Sequence, residues 1–98
     1  MVEIRLKNDN DKPLWSLLPM KPVEEVVKVF TYGAKKYAPN NWKHEKDPWN
    51  KDMSAALRHI AEYQDGNKYD DETRLNHLAH AVADLLIVLH ADLKKEKK

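Results

Sequence analysis

An all-α bundle of about three to four helices is the fold this sequence predicts, on three observations. Apolar residues recur at helical spacing in three separate stretches, 22–37, 53–64 and 75–89. The stretches between them are rich in proline, asparagine and unpatterned charge, which is the composition of loops. No alternating run requires a strand. At 98 residues the chain makes one small domain, divided into an N-terminal arm (1–11), a helical core (12–90) and a lysine-rich tail (91–98). A domain of this size has a thin core, and association of copies is the usual remedy.

In chain order, the short VEIRL segment (2–6) reads as an arm or an edge strand. The proline-containing segment from Asp11 to Met20 carries Leu14, Trp15, Leu17 and Leu18, and is expected to lie extended across the helices as a lid. Pro22 suits the first position of a helix, where its missing N–H costs nothing, and Glu24 and Glu25 favour the positive end of the helix dipole. That helix is expected to run to about Tyr37, with Val23, Val26, Val27, Phe30, Ala34 and Tyr37 on its inner face. Residues 38–49 form a loop whose Trp42 and Trp49 need cover from the core, a ligand or a second subunit. Asn50 or Asp52 caps the second helix, whose apolar side is Met53, Ala56, Leu57 and Ile60, and Gly66 ends it. Asp71 or Thr73 caps the third helix. There Leu75, Leu78, Val82, Leu85, Leu86 and Leu89 make a broad apolar face, and His77, His80 and Asp84 a separate polar stripe.

Charge and composition exclude several function classes. The formal charge is +1, and without the terminal lysines the folded part is mildly acidic, which argues against a DNA or RNA surface. With no cysteine, disulfides and thiolate metal sites are impossible. No signal-peptide core is present and the longest apolar run, Leu85–Leu89, is too short to span a bilayer, so a soluble cytoplasmic protein is expected. Gly-rich phosphate loops, serine nucleophile elbows and an adjacent His-Asp pair are all missing.

What carries chemistry is a set of titratable groups on three helices: Glu25 on the first, His59 and Glu62 on the second, and His77, His80 and Asp84 on the third. Groups one helical turn apart on facing helices can converge on one cation, or can satisfy one another as a buried hydrogen-bond network. Carboxylates in such a set suit Mg²⁺ or Mn²⁺, and histidines shift the preference to Zn²⁺ or another transition metal. Lys35, Lys36 and Arg58 could hold phosphate oxygens, and Trp42, with Trp15 and Trp49, offers a stacking surface.

The segments KPLWSLLP (12–19), TYGAKKY (31–37) followed by Asn41-Trp42, ALRH (56–59) and DDETRLNHLAHAVADLL (70–86) resemble, in order, the phage and bacterial dATP/dGTP diphosphohydrolase N-terminal domain family, itself similar to the all-α MazG-type pyrophosphohydrolases. The resemblance implies hydrolysis of a purine deoxynucleoside triphosphate, dGTP or dATP, to the monophosphate and pyrophosphate with Mg²⁺ or Mn²⁺. It also implies a homo-oligomer and, for a phage-encoded protein, the host cytoplasm. MazG-type enzymes hold metal with ExxE on one helix and ExxD on the next. His59–Glu62 stands where ExxE would be and Asp84 where the second motif closes, with Ala81 in place of its carboxylate. The resemblance thus implies Glu25, Glu62, His77, His80 and Asp84 as metal ligands and His59, Glu62, His80 and Asp84 as catalytic groups. Lys35, Lys36, Arg58 and Trp42 would contact the nucleotide. A non-catalytic helical module for nucleotide binding or oligomerisation, with a purely structural His/Asp network, is the alternative.

Overall fold

The computed structural model describes residues 11–96, so the VEIRL segment and the last two lysines lie outside the described residues. Three α-helices and two short 3₁₀ turns make up the fold, and no strand occurs among the described residues. Helix α1 spans Met20–Lys36, α2 spans Pro48–Gln64 and α3 spans His77–Glu96.

Each helix begins away from where apolar spacing puts it, for local reasons. Helix α1 starts at Met20, so Pro22 is its third residue, still inside the first turn where an N–H has no intrahelical partner. Helix α2 starts five residues before the apolar pattern, because Asp47 caps it. The Asp47 carboxylate accepts from the Asn50 backbone N–H (3.4 Å) and side-chain amide (2.8 Å), and Pro48 follows at the first helical position. Helix α3 starts two residues late, at His77, because Asn76 Oδ1 accepts the Leu78 N–H at 2.7 Å. It continues to Glu96, so Lys94 and Lys95 form its last turn, where the dipole favours cations. The stop of α2 is as expected. Gly66, at φ 97°, donates to the Tyr63 carbonyl and Asn67 donates to that of Glu62, a Schellman closure that glycine permits.

Helix α3 is central, packing most extensively on α2 and also on α1. His59 meets His77 while Pro48 and Trp49 share a cavity with Ile87, Val88 and Ala91, so α2 and α3 run antiparallel. The buried residues are mostly small: Ala56, Ala79, Ala81 and Ala83, together with His59 and His77, with His59 meeting His77 between α2 and α3 and Ala79 lying against Val23 and Val26 of α1. Small side chains let helix axes approach closely. This corrects the expected inner face of α3. Leu78, Val82, Leu85, Leu86 and Leu89 are 41–51 % exposed, and what is buried is His77 with the alanines on the sides of α3 turned to α2 and α1. On α2, Leu57 is likewise exposed, as are Val27 and Tyr37 on α1, whose packed side is Val23, Val26, Val29 and Phe30. The segment before α1 is not a buried lid among the described residues: Leu14, Leu17 and Leu18 are exposed, and Trp15 is 78 % exposed within a 3₁₀ turn. Trp42 is tucked in, between the rings of Phe30 (5.6 Å) and His90 (5.0 Å).

Candidate metal centre

Where α2 ends and α3 begins, the connecting loop folds back and delivers an aspartate to the histidines. Its arms are held by Asp70 N–H to the Leu75 carbonyl and Arg74 N–H to the Asp70 carbonyl, both 2.8 Å, and by His77 N–H to Lys68. A single antiparallel bridge, Tyr69 to Asn76, closes it. Arg74 takes a left-handed conformation at φ 64° to make the turn. Lys36 and Tyr32 of α1 both bond Glu72 at 2.6 Å and tie the outside of the loop to the bundle.

One ligand atom each from His59, Asp70 and His77 lies within 4.8 Å of the others. The two histidines face each other Nδ1 to Nδ1 at 2.8 Å, a contact that requires one donor and one bare nitrogen. His80 stacks on His59 with ring centroids 4.6 Å apart and an interplanar angle of 13°. Its Nε2 lies 2.7 Å from the Thr73 hydroxyl, which also lies 3.2 Å from Asp70 Oδ2. A hydroxyl has one proton, and the carboxylate is the stronger acceptor. The network therefore assigns the Nε2 proton to His80 and leaves its Nδ1 as a base.

Burial is the largest influence on His59, His80 and Asp70. Burial lowers His59 to about 4, helped by the charges of His80, Arg58 and His77. Burial lowers His80 as well, against the opposing pull of Asp70. For Asp70 burial acts upward but is outweighed by the N–H groups of Thr73 and Glu72, the Thr73 hydroxyl and the His80 charge, so its pKa lies below the ordinary value. Burial thus favours the neutral imidazole at His59 and the donors around Asp70 favour its carboxylate, the protonation states a cation requires of such ligands. A His₂Asp set fits a first-row transition ion better than Mg²⁺, which prefers oxygen.

A second acidic pair sits further along the same seam. Asp52 of α2 and Asp84 of α3 each keep a buried oxygen without a partner. Burial, then the charge of Asp52, pushes Asp84 up to about 7, and burial raises Asp52 too.

Of the residues singled out from sequence, the structure gathers His59, His77 and His80 into one group and places Asp84 one turn beyond. Arg58, exposed beside them, is felt at His59, His80 and Asp84. Glu62 and Glu25 stand apart: Glu62 accepts from Asn67 at 2.6 Å, and Glu25 pairs with Lys28 at 2.9 Å on α1. Lys36 is engaged by Glu72, Lys35 is exposed on α1, and Trp42 lies toward the other end of α3. Sequence reasoning passed over Asp70, Thr73 as its hydrogen-bond partner, and Asp52. The readable signal was Asp70 three residues before Thr73, the spacing of a side chain that accepts from nearby backbone N–H groups.

Comparison with known proteins agrees with the resemblance seen in the segments. A dATP/dGTP diphosphohydrolase of Salmonella phage PMBT28 is 36 % identical over 83 residues, covering 85 % of this chain and 28 % of the phage protein. This chain therefore spans little more than a quarter of that relative's length. No solved structure matches. Residues 3–98 match the sequence profile described as "dATP/dGTP diphosphohydrolase, N-terminal", and the chain belongs to that family.

Proposed function

We propose that this chain is a metal-dependent nucleotide diphosphohydrolase domain. It cleaves a purine deoxynucleoside triphosphate, dGTP or dATP, between the α and β phosphates to give the monophosphate and pyrophosphate. The observation that carries the reading is the convergence of His59, Asp70 and His77 within 4.8 Å of one another. Ligand distances of about 2.0–2.2 Å around one ion are compatible with that spacing after small side-chain adjustments. The family and the phage relative's name supply the substrate class.

In this reading His59, Asp70 and His77 hold the ion, Mn²⁺ in preference to Mg²⁺ on the nature of the donors. When bound, the ion would neutralise phosphate charge and acidify water. The chain's own groups do the rest. Arg58, an exposed cation whose charge acts on His59 and His80, holds phosphate oxygens bidentately, as lysine cannot. The bare Nδ1 of His80 takes the proton of the attacking water, while Thr73 fixes the ring from the other side. Water adds to the α-phosphorus, the bond to the bridging oxygen breaks, and pyrophosphate leaves. The uncovered leucine face of α3 makes a homo-oligomer part of the same reading.

Pyrophosphate release from dGTP and dATP with added Mn²⁺ or Mg²⁺ tests it. Turnover with Mn²⁺, lost in His59→Ala and His77→Ala, is the expected outcome, together with a rise in Tm on Mn²⁺ addition of the size that binding at many times Kd confers. A folded sample that turns over no common nucleotide with either ion, and whose Tm ignores Mn²⁺, overturns the proposal in favour of a non-catalytic helical module. Every ring in the cluster has a protein contact already, which is what that alternative would look like.

A further inference from the structure

The stripe of α3 that carries His77, His80 and Asp84 continues through Val88, Ala91 and Lys95, each three or four residues beyond the last. At that far end it forms the floor of a cavity of about 510 Å³. Trp42 and Trp49 stand on the walls, and Lys43, Lys46, Lys94 and Lys95 surround them. Trp49 is 62 % exposed, a large indole left mostly uncovered by the described residues. Lys43 sits over the Trp42 ring, 5.5 Å from its centroid. Of the three carboxylates at the cavity, Glu45 is paired with Lys51 at 3.0 Å and Asp47 is occupied in capping α2. In charge that leaves Asp47 and Asp92 against four lysines, a local excess of positive charge, and none of the four lysines is in an ion pair with another described residue.

Indole faces beside a ring of ammonium groups recognise a flat aromatic body that carries anionic oxygen. Stacking on an aromatic side chain tolerates any base, while the lysines select for phosphate. We propose that this cavity binds a purine nucleotide, base against Trp49 and phosphate on Lys94, Lys95 and their neighbours Lys43 and Lys46. It is a site separate from the histidine cluster. From His77 to Ala91 the helix rises about 21 Å. That is farther than a nucleotide's base lies from its own α-phosphate, so one molecule cannot have its base here and its scissile bond at His59 and His77. Only the choice of a purine rests on the function proposed above. The cavity is concave and sized for one base, and the chain's net charge of +1 offers no basic track leading away from it, which favours a mononucleotide over a nucleic-acid strand.

The test is binding of dGMP, which has no α–β bond to cleave, to the full chain without metal, followed by tryptophan fluorescence. Saturable quenching is expected, weakened on the order of tenfold in the surface variant Lys94→Glu/Lys95→Glu, strongly reduced in Trp49→Ala, and unchanged in His59→Ala/His77→Ala. Deoxyguanosine and inorganic pyrophosphate, each supplying half of the recognition, should bind at least tenfold more weakly than dGMP. The site is overturned if quenching is absent, if it depends on the histidines and not on the lysines, or if a single-stranded oligonucleotide binds with affinity that climbs with length. Circular dichroism on the lysine variant, whose substitutions are exposed, excludes unfolding as the cause of a loss. Failure here leaves turnover and Mn²⁺ binding untouched, and loss of those leaves dGMP quenching in place.

Discussion

Asp70 and Asp84 are two aspartates at the same α2–α3 seam with opposite chemistry. Both are disfavoured as anions by burial, yet Asp70 lies below the ordinary carboxylate range and Asp84 is pushed to about 7. The difference is the number of donors aimed at them. Asp70 Oδ2 accepts from two backbone N–H groups and a hydroxyl, because it sits in a loop whose N–H groups are not committed to a helix. Asp84 sits in mid-helix, where the neighbouring N–H groups are already bonded, and its Oδ2 has no partner. A loop can ionise a buried carboxylate and a helix cannot. The candidate metal site therefore lies where the loop meets the helices, and Asp84 stays a carboxyl group beside Asp52, with the Arg58 charge favouring its ionisation.

The largest effect that would break this contrast is His59→Ala. It removes the hydrogen-bond partner of His77 and opens a void at the most closely packed part of the seam, a loss of roughly 2–3 kcal/mol of stability at pH 7. The parent protein should show a specific pH signature at this site. The folded-state pKa of His59, about 4, lies below the unfolded value of 6.5. Protons bind the unfolded chain more strongly, so the stabilisation is complete above pH 6.5 and is lost progressively as pH falls from 6.5 to 4, by up to about 3 kcal/mol. Urea denaturation across that window should show a slope in the parent and a flatter one in His59→Ala. Equal slopes would mean that His59 is not the titrating group.

A smaller effect of opposite sign is expected at Asp84. Its folded pKa is raised, so ionisation costs stability as pH rises from about 4 through 7. Asp84→Asn removes the ionisation while keeping the shape. Discounted for the partial exposure of the group, it should stabilise the metal-free protein by about 1–2 kcal/mol at pH 8 and by little or nothing at pH 4. Tm measured at the two pH values decides it, and a variant less stable than the parent at both would show that the carboxyl donates a needed hydrogen bond.

How much of this was legible in the sequence follows the same line. The three helices and the polar stripe were visible, because period 3.6 is a property of the sequence itself. The inner face of α3 was not, since periodicity shows that leucines share a side without showing what that side meets. Here the buried positions of α3 are the histidine-bearing side that meets α2 and alanines such as Ala79, which lies against Val23 and Val26 of α1, while the leucines between them stay half exposed. The start of α2 was present in Asp47-Pro48 and was masked by two tryptophans and a charge run that read as loop. Asp70 was hidden for a tertiary reason. Within Asp70-Asp71-Glu72 the spacing to Thr73 marks Asp70 as an acceptor of nearby N–H groups but does not say that it faces the histidines, and closure of the loop between Tyr69 and Asn76 is what turns it there.

The smallest expected effect concerns how rigidly that loop is held. Arg74 sits at φ 64°, a conformation that costs a residue with a Cβ roughly 1–2 kcal/mol. Glycine would relieve the strain but would lose more chain entropy on folding, about 0.5–1 kcal/mol. Arg74→Gly should therefore raise stability by no more than about 1 kcal/mol, with the Asp70 donors intact and Mn²⁺ affinity unchanged. The pair of measurements separates two origins of the loop's geometry. If the hydrogen bonds to Asp70 set it, stability rises slightly and the metal site is indifferent. Should Mn²⁺ affinity fall while stability rises, the strained arginine backbone, and not the donor set around Asp70, would be what keeps the carboxylate aimed at His59 and His77.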